Sequence, residues 1–149
     1  MKQQIGPHNY IDAVTVVPPL VNIKDTGVGN SKEWTVPDNE VWKFAHACCS
    51  FTTDATIGTR LLVLEVVDAD SDIIKYIPAG ATQTLSASVH YCLMQGVYRE
   101  TSIVNGALHV PIAEDLYVLG GTTVKIRDSN NVSAGDTLSV AFQIERYLV

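Results

Sequence analysis

Between Leu138 and Glu145 the chain alternates without a break, with Leu138, Val140, Phe142 and Ile144 on one side and Ser139, Ala141, Gln143 and Glu145 on the other. A period of two marks a strand with one face on a core and the other toward water or a neighbour. Leu85, Ala87, Val89, Tyr91 and Leu93 alternate in the same way with Thr84, Ser86, Ser88 and His90, until Cys92 and Met94 make both faces apolar. Nowhere does an apolar pattern hold the helical period of about 3.6 between capping residues. Strands are predicted near 10–17, 40–50, 60–67, 73–77, 84–94, 100–104, 107–111, 116–119, 122–127 and 137–147. Turn residues separate them at Asp68 to Asp72, Pro78 to Gly80, Gly120-Gly121, Asp128 to Asn131 and Ala134 to Asp136. Asn105-Gly106, between Val104 and Ala107, supplies the two positive-φ positions of a type I′ hairpin turn. The fold class that follows is all-β, a jelly-roll-like antiparallel β-sandwich of about 8–10 strands with an N-terminal extended arm.

A chain of 149 residues is long enough to bury one core without metal or disulfide staples. Residues 1–30, punctuated by Pro7, Pro18, Pro19, Gly27 and Gly29, read as an arm, and 31–149 as the sandwich, with 24–32 as the only linker. The β-branched run Val14 to Val17 leaves a second reading open, in which this segment is the first strand of its own sandwich or adds a strand to a neighbour's sheet.

Charge and cysteine usage narrow the classes. A net charge of −6, with ten Lys and Arg scattered singly, argues against nucleic acid as a partner. The N-terminus has no apolar run of the secretory type and no segment approaches the ~20 apolar residues that span a bilayer, so no membrane partner and assembly in the cytoplasm are expected. Three cysteines, two of them the neighbours Cys48 and Cys49, form no spaced disulfide framework and are expected as reduced thiols.

Candidate chemistry is sparse. Asp68, Asp70 and Asp72 open like a calcium loop, but Ile73 stands where that loop needs Gly and Ala79 where it needs Glu. His46 with Cys48, and His90 with Cys92, have the spacing of zinc ligands on strands. Strand parity argues against zinc, because it puts His46 and Cys48 on the core side with Trp42 and Phe44, and His90 and Cys92 outside. There is no Gly-x-Ser-x-Gly elbow and no glycine-rich phosphate loop, so no enzyme, no cofactor and no catalytic residue are expected. Asp54 and Arg60 bracket a polar loop, and an ion pair between them would clamp its mouth. The alternative role for Arg60 is contact with a partner.

One resemblance goes further. Val-Pro-Asp-Asn-Glu-Val-Trp at 36–42, Thr-Asp-Ala-Thr-Ile-Gly-Thr-Arg at 53–60, an apolar strand ending in Asp68, and Ile-Pro-Ala-Gly at 77–80 resemble small structural proteins of tailed bacteriophages that decorate or cement the capsid. The later run from Val110 to Ile126, with Ala-Gly-Asp before the last strand, fits the same pattern, so the resemblance covers about 34–147. It implies a non-enzymatic virion protein on the capsid surface that bridges major capsid protein subunits. It also implies a homo-oligomer, a trimer first and a dimer second. The contact residues that follow are Tyr10, Ile11, Val14, Val16 and Leu20 on the arm. The alternative is a tail, baseplate or fibre module whose sandwich binds carbohydrate through Trp34, Tyr76 or Tyr98. A jelly-roll hydrolase would instead need a concave pocket of convergent His and carboxylate groups.

Overall fold

A computed structural model of the chain describes residues 20–149. Ten strands, β1 (Leu20–Asp25), β2 (Ser31–Thr35), β3 (Glu40–Thr52), β4 (Leu62–Val67), β5 (Ile73–Pro78), β6 (Ser88–Met94), β7 (Ala107–Pro111), β8 (Tyr117–Leu119), β9 (Thr123–Asp128) and β10 (Thr137–Leu148), form two sheets. The six-stranded sheet runs β1-β10-β3-β6-β7, with β8 also paired to β3, and the four-stranded sheet runs β2-β9-β4-β5. The protein is an all-β sandwich. Four antiparallel pairs nest within one another, β1 with β10, β2 with β9, β3 with β6 and β4 with β5, and successive pairs alternate between the sheets. β7, parallel to β6, and β8, paired to β3, stand outside these four pairs and complete the larger sheet.

The alternation of β10 places Leu138, Val140, Phe142 and Ile144 in that core. Phe142 is its hub: Trp34 of the facing sheet meets it edge-on at 4.6 Å, and Phe44 stacks on it at 5.1 Å. Such aromatic pairs add about 0.5–1.5 kcal/mol each beyond the area they bury. One polar group in the core is fully answered. Tyr91 donates to Gln83 Oε1 at 3.1 Å, and the Gln83 amide donates to Phe51 O at 2.9 Å and Ala87 O at 2.8 Å.

Several elements differ from the sequence expectation. Residues 20–25, inside the segment read as an arm or first strand, form β1 on the edge of the larger sheet, and the linker 24–32 is only the turn from β1 to β2. The strand expected at 10–17 lies outside the described residues. Asn105 and Gly106 do adopt positive φ, 52° and 73°, but the hairpin shrinks to a single bridge between Val104 and Ala107. The chain after that turn pairs parallel to β6 rather than back on 100–104, so the larger sheet is not wholly antiparallel.

The largest difference is in β3. Its pairing with β10 slips between Phe44, opposite Ile144, and His46, opposite Gln143, so Ala45 is an extra, bulged residue. A one-residue slip exchanges the faces of everything beyond it. Trp42 and Phe44 point into the core before the bulge, and Ala47, Cys49 and Phe51 do so after it. His46 and Cys48 therefore stand on the outer face, and the core-side placement expected for them is corrected.

Candidate interaction surface

The loop between β3 and β4 carries the chain from one sheet to the other, and Arg60 at its end is 0 % exposed. Its Nη2 meets Asp54 Oδ1 at 3.0 Å, and its Nη1 donates to Thr56 O at 2.9 Å and Gly58 O at 2.8 Å. The loop thus wraps its own backbone carbonyls around the guanidinium. The pair expected from the sequence, Asp54 with Arg60, leaves out the stronger partner. Asp136, just before β10 and also 0 % exposed, accepts from Arg60 Nε at 2.9 Å and from Asp54 N at 2.8 Å. Asp54 is held below the usual carboxylate range, first by the Ser133 hydroxyl, then by Thr56 N–H, with Arg60 contributing less. Arg60 faces inward, bonded on every side within the chain, which assigns it the role of a strut between the two sheets.

Asp128, at the end of β9, lies beside this network. Its Oδ1 accepts from Leu61 N at 3.1 Å and Asn130 N at 3.0 Å, while Oδ2 is buried without a partner among the described residues. Burial raises its pKa, opposed by those two N–H groups; Asp136 raises it further and Arg60 lowers it.

Of the arm residues, Tyr10, Ile11, Val14 and Val16 lie outside the described residues. Leu20 opens β1, is 54 % exposed, and pairs with Glu145 on the outer face of the larger sheet. Across four strands the same rung continues through Lys43 to Tyr117. The next rung holds Tyr147, Val41 and Leu119. Tyr117 and Tyr147 approach to 6.5 Å between ring centroids, and Leu119 is 60 % exposed. Lys43 and Glu145, 3.5 Å apart, neutralise each other within the patch. The Glu145 carboxylate also accepts from Tyr147 Oη at 2.7 Å, which with burial pushes that phenol up to about 12. The result is a charge-compensated patch of aromatic and aliphatic side chains at the edge where the N-terminal segment joins the sheet. Only the pairing of β1, β10, β3 and β8 assembles it, so no local motif announces it.

A second apolar surface lies on the other sheet. β5 is an edge strand, and Ile73, Ile74 and Tyr76 on it are all exposed. A bulge at Ile74 and the charge of Lys75 guard its backbone against indiscriminate strand addition.

The carbohydrate candidates divide. Trp34 is half-buried against Phe142, whereas Tyr98 is 93 % exposed beside a shallow hollow lined with Gly96, Val97, Glu100 and His109. A cleft lined by Thr82, Thr84, Ser88, Thr101 and Ser102 among others offers hydroxyl and amide groups but no His or carboxylate. His46 and His90 lie on opposite sides of the Cys48–Cys92 rung, and among the described residues no three His, Cys, Asp or Glu side chains are placed to hold a metal. No described helix is long and apolar enough to cross a membrane. Comparison with family models, curated protein sequences and solved structures gave no match.

Proposed function

We propose that this chain is a non-enzymatic structural protein of a tailed-phage virion, which binds the outside of the head and bridges major capsid subunits. The observation that carries the reading is the patch of Leu20, Val41, Tyr117, Leu119 and Tyr147 on the outer face of the larger sheet. Contiguous exposed apolar area, rimmed by charge, marks protein contact. A bridging protein needs two separate contact surfaces, and the β5 edge is the second. The nested, sheet-alternating strand pairs support a jelly-roll-like reading of the sandwich, the architecture that the resemblance to decoration modules implies. Binding only to the assembled lattice would stabilise it by mass action. Self-association through one of the two surfaces, as a trimer first and a dimer second, would multiply the bridges per site.

The test is co-sedimentation of the purified protein with heads that lack it. Tyr117→Lys combined with Leu119→Lys leaves the core untouched and should cut head affinity at least tenfold, the consequence of losing a hot spot worth about 2 kcal/mol. Undiminished binding by this variant and by Ile73→Lys with Tyr76→Lys on β5 would sink the proposal. Exposed Tyr98, beside Glu100 and His109, favours one second reading: a tail or fibre module that stacks a sugar ring on Tyr98. Glycan binding abolished by Tyr98→Ala would establish it.

A further inference from the structure

The register of β3 with β6 places two thiols side by side. Cys48 of β3 stands directly opposite Cys92 of β6, in a rung that continues to Ala141 on one side and His109 on the other. The hydrogen bond from Thr53 N to Ala87 O fixes the phase of this ladder. Counting in steps of two from that bonded pair makes Cys48–Cys92 a non-hydrogen-bonded pair, the kind whose side chains lie closest, with Cα atoms about 4.5 Å apart. That separation falls within the roughly 4.4–6.8 Å that a disulfide spans. The same phase holds at Thr52 and Ser88, whose hydroxyls meet at 2.9 Å on the same outer face. Cys48 is exposed, Cys92 is half-buried, and Cys49 points into the core.

We propose that Cys48 and Cys92 form a modification site: a cross-strand dithiol that is oxidised by low-molecular-weight disulfides. The exposed Cys48 thiolate attacks one sulfur of the small disulfide, forming a mixed disulfide and expelling the first thiolate, which takes up a proton. Cys92 then gives up its proton, attacks Sγ of Cys48 and releases the second small thiol. The protein loses two electrons and two protons, and the small disulfide becomes two thiols. The division of roles follows from the site. Burial, then the Cys48 thiol and the Glu100 carboxylate, raise the pKa of Cys92, which suits the resolving position rather than the attacking one. Glu100 is itself tied to His109, accepting from its backbone N–H at 2.7 Å with Nδ1 at 3.1 Å, so the carboxylate stays beside the rung. The bond would staple the two central strands of the larger sheet.

The test is incubation of the full chain with glutathione disulfide, followed by intact mass, thiol counting in denaturant, and peptide fragmentation. Two of the three thiols should disappear, with Cys48 joined to Cys92 within one chain and Cys49 left free. Cys92→Ser, on an outer face that tolerates serine, should stop at a glutathione adduct on Cys48, and Cys48→Ser should accumulate at least tenfold less adduct. Retention of all three thiols, a bond through Cys49 or between chains, or a Cys92→Ser variant without adduct would overturn the proposal.

Discussion

Replacing Asp136 by Asn should be the most damaging isosteric change in this protein. The carboxylate is fully buried, and both its oxygens are in use: Oδ2 accepts from Arg60 Nε at 2.9 Å and Ser133 N at 3.3 Å, Oδ1 from Asp54 N at 2.8 Å and Arg60 Nη2 at 3.4 Å. An Asn amide removes the charge and, in either orientation, turns an N–H₂ toward a donor. Removing one partner of a buried ion pair costs about 3–5 kcal/mol. The lower end applies here, because Asp54 and the carbonyls of Thr56 and Gly58 still hold the guanidinium. Against a total stability of roughly 5–15 kcal/mol, that is a large share. At about 2–4 °C per kcal/mol for a chain of this size, Tm should fall by roughly 6–12 °C. Thermal and urea unfolding at neutral pH would read this out, with the urea slope unchanged. Arg60→Met should also destabilise, and the double variant should lose less than the sum of the single ones. A Tm shift under about 2 °C, or strict additivity, would show that the Arg60–Asp136 pair is not the strut between the sheets.

Three further outcomes follow from the same geometry. Asp128 has a raised folded-state pKa, so its contribution to stability is fully present below its ordinary value of 3.8 and is lost as pH rises through the folded value. Asp128→Asn should therefore cost less at pH 7 than near pH 4 in urea titrations, and a cost independent of pH would contradict the burial of an unpartnered oxygen. Gly80→Ala would drive a Cβ into the Glu100 carbonyl, a backbone collision worth about 1–3 kcal/mol by calorimetry; an unchanged Tm would show that the chain before β7 yields freely. Deletion of residues 1–20 should leave the circular dichroism spectrum of a β-sandwich while abolishing head binding, and full occupancy after deletion would remove the N-terminal segment from the interface.

How much of this was legible in the chain depends on whether a feature is local. The strand Leu138 to Ile144 was readable because its alternation runs unbroken, and the Asn105-Gly106 turn because positive φ selects its residue types. The outer-face position of His46 and Cys48 was not, since the bulge at Ala45 carries no residue signature and reverses parity beyond it. Leu20 to Asp25 alternates too briefly after Pro18-Pro19 to separate a strand from an extended arm. Asp54 and Arg60 are six residues apart and could be paired by eye, whereas Asp136 lies 76 positions from Arg60 and is joined to it only by the fold. The aromatic patch likewise gathers residues from four strands, so its parts look like ordinary surface positions one at a time.

The proposed role on the head turns most directly on stoichiometry. Quantitative mass spectrometry of purified virions, with the major capsid protein as internal standard, gives the copies of this chain per particle. Head decoration requires hundreds of copies in fixed proportion to the capsid subunit; a handful per virion would place the protein in the tail, and none would remove it from the particle altogether.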